Sequence, residues 1–303
     1  MTKVSIVILN WNRYEDTFNC LKSLKKIYKK NLDINIIVVD NGSKEEEVKK
    51  IKSLSDSVKI ILNSKNLGFA EGNNIGIRAS LKENPDYILV LNNDTEVHKN
   101  FLIELVNAAQ NEKDVGAFTP KIYFAKGFEF HKNRYNAKDL GKVIWSAGGI
   151  IDWDNVYGSN RGVDEVDSGQ FDQEIQTDFA TGACVLFRAS ALKRVGIFDS
   201  IYFMYIEDAD LSLRLKKKNY KIIYVPKSVI WHKVAQSSGI GSSLNDYFIT
   251  RNRLIFGFRY ANLRAKIALT KEAIFRFLLK GNFWQRIAVI DFAIGNLGKG
   301  SWK

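Results

Sequence analysis

The 303-residue sequence has two cysteines, three prolines and three histidines. Cys20 and Cys184 form no C-x-x-C pair, which argues against a disulfide scaffold and a cysteine-based zinc site. So few prolines exclude a Pro-rich stalk or a collagen-like repeat. No run of about 18 apolar residues occurs, so no membrane-spanning helix is expected. The longest candidate, residues 287–297, is broken by Asp291 and Asn296. The opening MTKVSIVILNWNR turns polar at Asn10, too early for a signal peptide. The reducing cytoplasm is the expected compartment. Acids are scarce in the last third. Residues 211–303 hold 18 Lys and Arg against three acids, a net of +15, whereas residues 1–210 carry a net of −3. Such segregation points to a polyanionic partner: nucleic acid, an acidic membrane or a phosphorylated substrate.

What is present is an ordinary folding composition, 46% hydrophobic and 12% aromatic, which excludes disorder as the dominant state. The length fits one large domain, alone or with a small appendage. Residues 4–9 (VSIVIL), 34–39 (INIIVV) and 87–91 (YILVL) are continuous apolar runs, as in strands buried on both faces. Residues 58–62 and 115–119 predict two further strands. Between them, 14–28, a charged helix from Lys44, 70–81 and 101–109 carry helical spacing, with Ser43 a candidate N-cap. This alternation predicts βαβ units and a mostly parallel sheet. Residues 125–175 predict a loop-and-hairpin insertion. Strand 182–187, helix 208–218 and short strands 221–225 and 229–231 follow, and the pattern is helical from about Leu244.

Such sheets bind ligands beyond the carboxyl ends of their strands. The polar clusters Asn10-Trp11-Asn12, Asp40-Asn41-Gly42-Ser43 and Asn92-Asn93-Asp94-Thr95 therefore predict one rim. Asp40 either accepts from a base or ribose or merely forms a turn. Asp94 either meets a divalent ion or, with Thr95, caps the helix near Asn100. The segment from Asn66 to Gly76 lets a ligand or another backbone come close. It is neither G-x-G-x-x-G nor a Walker motif. Glu207, Asp208 and Asp210 crowd one helix start, either as its normal acidic turn or around a general base. His232 follows a strand, like Asp40 and Asp94.

Together the segments VSIVILNWNR, IIVVDNGS, NLGFAEGNNIGI, YILVLNNDTEV, TGACVLFRASALKRVGIFDSIYFMYIEDADLSLRL and YKIIYVPKSVIWH resemble the family 2 glycosyltransferases, in the rhamnosyltransferase-like branch. The resemblance spans roughly residues 3–232. It implies a GT-A fold: an α/β nucleotide-binding domain with a mixed sheet and helices on both faces. It implies inverting transfer from a nucleotide-diphosphate sugar, such as dTDP-rhamnose, to a hydroxyl of a glycan or lipid-linked acceptor. A UDP-hexose or UDP-N-acetylhexosamine is the alternative donor. By that resemblance Asn10, Trp11, Asn12, Asp40, Gly68, Asn73, Asn93 and Asp94 hold the nucleotide sugar. Asp94 and His232 hold Mg²⁺ or Mn²⁺, Asp208 is the base, and Glu207 and Asp210 orient it or bind acceptor. The family's first DxD carboxylate is replaced by Asn92. Its frequent arginine in the Gly-rich segment is replaced by Gly72-Asn73-Asn74.

The catalytic domain is expected over residues 1–243, with a nucleotide half to about 120 and an acceptor half beyond it. Residues 244–303 form a basic amphipathic helical tail. Its apolar stripes and 11 Lys and Arg over 251–303 suit an anionic membrane surface, giving a peripheral place on the inner face of the cell membrane. Alternatively the stripes pack on the catalytic domain or in a homodimer. A nucleic-acid-binding protein is the rival class, but no zinc-finger, RNP or helix-turn-helix signature supports it.

Overall fold

The computed structural model describes residues 1–54, 58–234 and 242–302. In chain order the elements are β1 (Thr2–Asn10), α1 (Tyr14–Leu24), β2 (Leu32–Asp40), α2 (Glu45–Lys52), β3 (Lys59–Leu62), α3 (Gly68–Leu81), β4 (Tyr87–Asn92), β5 (Thr95–Val97), α4 (Phe101–Asn111) and β6 (Val115–Phe124). There follow β7 (Ile144–Ser146), β8 (Gly149–Asp152), β9 (Tyr157–Asn160), β10 (Ile175–Gln176), β11 (Cys184–Arg188), α5 (Ala189–Val195), α6 (Glu207–Lys217) and β12 (Lys221–His232). Three helices close the chain: α7 (Ser243–Tyr260), α8 (Leu263–Phe275) and α9 (Phe283–Ile294).

Among the described residues, one sheet runs β10-β12-β6-β11-β4-β1-β2-β3, with β5 added beside β12 and β7 beside β6. Strands β4, β1, β2 and β3 are parallel, while β11 is antiparallel to both β4 and β6. The sheet is mixed, as expected. Its continuous apolar strands work by alternation: Ile6, Ile8, Leu89 and Leu91 face the core under α1, α2 and α4. Val7, Ile88 and Val90 face the core under α3, α5 and α6. Helices thus cover both faces. Cys20 and Cys184 are free and buried within the first core.

The expected strands 221–225 and 229–231 are one strand, β12. Its pairing with β6 slips between Val225 and Val229, at Pro226, which lacks the N–H for a regular ladder. The 125–175 insertion contributes the hairpin β8–β9, which packs with α7 and α8 through Ile151, Val156, Leu254 and Leu269. Helix α7 does not hang free of the catalytic body: Tyr247, Phe248, Arg251 and Asn252 are buried. No helix among the described residues is long and apolar enough to cross a membrane.

Candidate active site

Asn10 lies opposite Asp40 in the β1–β2 ladder, and Leu9 lies opposite Asn92 in β1–β4. The three polar strand ends therefore meet on one rim. Asp40 is fully buried there. Its carboxylate accepts from Asn10 Nδ2 at 2.8 Å and from the Ser43 backbone N–H at 3.0 Å. Asp40 thus organises the corner from beneath. Ser43 does not cap α2, whose N-cap is Lys44 with no side-chain bond. The Ser43 hydroxyl instead accepts from Asn12 N at 2.8 Å, because the corner at Asn12 (φ 53°) turns that N–H toward it.

A cleft of about 240 Å³ opens above this corner, lined in part by Trp11, Asn41, Asn66, Gly68, Asn93 and Asp94. Asn41 ties it together, donating to Asn66 Oδ1 at 3.0 Å and to the Gly68 carbonyl at 3.1 Å. Gly68 has φ +80°, and a Cβ there would sit 2.4 Å from the Phe203 carbonyl oxygen. Only glycine fits. Asn73 is not on this wall: it is buried in α3, where its amide donates to Phe69 O at 3.0 Å. Asn41, Asn66, Arg13, Phe203 and Met204 line the cleft although the sequence did not single out their side chains.

Asp94 does not cap α4, whose N-cap is Asn100 with no side-chain bond. Residues 95–97 form β5 instead, and its antiparallel register puts His232 opposite Thr95. His232 Nε2 then lies 3.0 Å from Asp94 Oδ1. The imidazole sits edge-on to Trp145, with ring centroids 4.6 Å apart. Burial would raise the Asp94 pKa, but the charge and contact of His232 outweigh it and hold the carboxyl low. Despite the short distance, Asp94 Oδ1 and both His232 ring nitrogens lack hydrogen-bond geometry with any described partner. Such orphaned, buried atoms fit a divalent cation between carboxylate and imidazole. Among the described residues no group of three or more His, Cys, Asp or Glu is gathered for a metal. Two protein ligands suit an ion that takes the rest from phosphate and water.

On the far side, α6 begins at Glu207 after a left-handed turn: Phe203, Tyr205 and Ile206 have φ of 63°, 69° and 74°. These are costly conformations for side-chain-bearing residues. Asn252, fully buried on α7, holds the turn: its Nδ2 donates to the carbonyls of Tyr202 (2.8 Å), Met204 (2.7 Å) and Tyr205 (3.0 Å). Arg251 donates to the Tyr202 carbonyl beside it, at 3.2 Å.

The turn presents Asp208, which is partly exposed. Its two oxygens accept from Gly182 N at 2.9 Å and from Ala209 N at 2.8 Å. Burial raises its pKa, and those two backbone bonds pull it partly back. Glu207 is buried, its Oε2 has no described partner, and burial with the neighbouring Asp208 charge pushes its pKa well up. The upward push is stronger on Glu207, so Asp208 is the more readily ionised acid of the pair. Asp210 is fully buried and takes bonds from Tyr202, Arg214, Arg259 and Tyr260. It anchors α6 and has no surface with which to bind an acceptor.

The model of "Glycosyl transferase family 2" matches residues 5–196. The chain belongs to this family. The family 2 match covers the strand ends at Asn10 and Asp40 and the β4–β5 turn at Asp94, while Asp208 and His232 lie beyond it. The N-acetylglucosaminyl-diphospho-decaprenol L-rhamnosyltransferase of Mycobacterium tuberculosis is 27% identical over 218 residues, 68% of each chain. The low-salt glycan biosynthesis hexosyltransferase Agl10 of Haloferax volcanii is 26% identical over 254 residues, 83% of this chain and 74% of that one. A solved structure of GalNAc-T7 with UDP, GalNAc and Mn²⁺ superposes with TM-score 0.69 at 16% identity. It covers 91% of this chain, which spans half the length of that one. The likeness shows the GT-A fold for this family 2 glycosyltransferase.

Proposed function

We propose that this glycosyltransferase moves a sugar from a nucleotide diphosphate to an acceptor hydroxyl with inversion at the anomeric carbon. The observation carrying the reading is a pair of chemistries: Asp94, which lines the cleft, lies beside His232, and Asp208 stands at the start of α6, directly after the turn whose Phe203 and Met204 line the same cleft. The acceptor O–H gives its proton to Asp208 as its oxygen forms the bond to C1. The bond from C1 to the nucleotide oxygen breaks on the opposite face, so no covalent enzyme intermediate is needed. Asp94 and His232 would hold Mg²⁺ or Mn²⁺, which when bound neutralises charge on the departing diphosphate. Trp11 and Asn93 face the donor directly, and Asn10, Asn12 and Asp40 fix the corner they stand on.

The mycobacterial relative's name favours rhamnose as the sugar and a diphosphate-linked polyprenol as the acceptor carrier, so dTDP-rhamnose is the first donor considered, with a UDP-hexose or UDP-N-acetylhexosamine as the alternative. Thermal denaturation with a panel of these donors tests this. With Mn²⁺, one donor at about 100 times its Kd raises Tm by roughly 5 °C. EDTA removes most of that shift and suppresses transfer, and Mg²⁺ or Mn²⁺ restores both. Unchanged transfer in chelator would remove the metal from the mechanism.

The reading extends to a membrane surface on the cytoplasmic face. Leu263, Leu278, Leu279, Phe283 and Ile294 are exposed on α8, α9 and the π-helical segment Arg276–Lys280 between them. Lys266, Lys271 and Lys280 lie in the same stretch, a composition suited to anionic lipid. The chain is expected to float with phosphatidylglycerol-containing vesicles, and Leu278→Ser/Leu279→Ser to lower the floated fraction severalfold. Equal flotation of the double variant refutes this face. Loss of a dimer in the double variant, with no vesicle binding by either protein, would assign the face to a homodimer.

A further inference from the structure

We propose that residues 295–302 are a fixed wall of the donor cleft and that Lys299 binds the diphosphate of the nucleotide sugar. The inference rests on the donor reading above and adds a residue to it. Helix α9 ends at Gly295 in the left-handed conformation, and the chain then turns back toward α7. Its path is set by Asp291, which is buried. That carboxylate accepts from Tyr247 Oη, from Ser301 N at 2.8 Å, from Ser301 Oγ at 2.9 Å and from Asn296 Nδ2 at 3.0 Å. The Gly298 N–H donates to the Ile201 carbonyl at 2.8 Å, just before the strained turn. Gly300 has φ +57°, and a Cβ there would lie 2.0 Å from Tyr247 Oη and 2.7 Å from an Arg251 nitrogen. No larger residue fits without moving the wall. Trp302 seals the segment against Trp284, with ring centroids 4.5 Å apart.

Pinned on either side in this way, Lys299 and Trp302 line the same cleft as Trp11, Gly68 and Asp94. Lys299 is exposed, and its ammonium has no hydrogen-bond or ion-pair partner among the described residues. A nucleoside diphosphate brings two or more negative charges to this rim. Arg13 lines the cleft near Trp11, and helix α3 brings no cation to this wall, because Gly72, Asn73 and Asn74 are buried within it. A lysine on a fixed backbone supplies one, as a compact point charge for phosphate.

Calorimetric titration of the full chain with dTDP and UDP, and with dTMP and UMP, in the presence of Mg²⁺ tests this. The wild type is expected to bind one of the diphosphates. Lys299→Ala weakens that diphosphate about tenfold, the size of one charge-assisted hydrogen bond. It weakens the matching monophosphate about threefold or less, and Lys299→Arg restores most of the difference. A Lys299→Ala protein that binds the diphosphate like the wild type overturns the proposal and leaves the donor reading standing. So does equal weakening of mono- and diphosphate. A wild type that binds neither diphosphate overturns the donor reading and the proposal together.

Discussion

Asp208→Asn lowers sugar transfer by about a thousandfold, within the range lost with a general base, and leaves donor affinity nearly unchanged. The donor cleft is lined by other residues, so binding does not need the carboxylate. Asn keeps the shape but not the acceptor set. Both Asp208 oxygens accept backbone N–H bonds, so the new NH₂ faces a donor and one bond is lost. A fall in Tm of a few degrees is therefore expected alongside the kinetic loss. The pH profile separates the two effects. The base works only when ionised, and burial raises its pKa. In the wild type kcat/KM therefore falls as pH drops through a value above that of an ordinary aspartate. The residual activity of the Asn protein lacks that limb. Near wild-type turnover by Asp208→Asn would remove the residue from the chemistry.

Asn252→Ala lowers kcat by about a hundredfold without touching a reacting atom. Three carbonyls of the turn before Glu207 lose their shared donor. Each left-handed residue in that turn costs on the order of 1–3 kcal/mol when nothing enforces it. The turn relaxes, Asp208 gains water, and its acid limb moves down toward that of an ordinary aspartate. That downward movement is what a purely global loss of stability would not produce. Phe203 and Met204 also line the donor cleft, so KM for the donor rises with the same change. Wild-type kcat with an unmoved pH limb would show that the turn holds itself.

The parts of this fold legible in the sequence are those whose physics is local. Continuous apolar runs gave β1, β2 and β4 because both faces of the sheet are covered, and the polar residues after them had nowhere to go but the rim. Asp94 and His232 were legible as strand ends, but not as neighbours. Only the β5–β12 register brings them to 3.0 Å. Ser43 looked like a helix cap because its type and position suit one, and a tertiary contact with Asn12 won. Helix α7 read as part of a basic amphipathic tail. Arg251 carries full charge in the sequence, yet it is buried, its cost offset by carbonyls and Tyr247. No periodicity marks an arginine or asparagine that serves another segment's backbone. The wall at 295–302 has no hydrophobic period at all. Its one local signal is the spacing of Gly295, Gly298 and Gly300, each at positive φ.

The central claim is tested most directly by following one reaction with proton NMR. The wild-type chain, Mn²⁺, a synthetic polyprenyl-diphosphate-linked N-acetylglucosamine acceptor and each donor of the panel are mixed in turn. The account predicts that one donor releases its nucleoside diphosphate in step with formation of a glycoside whose anomeric configuration is opposite to that of the donor. A product that retains the donor's configuration, or no transfer from any nucleotide sugar to any hydroxyl acceptor, would contradict it.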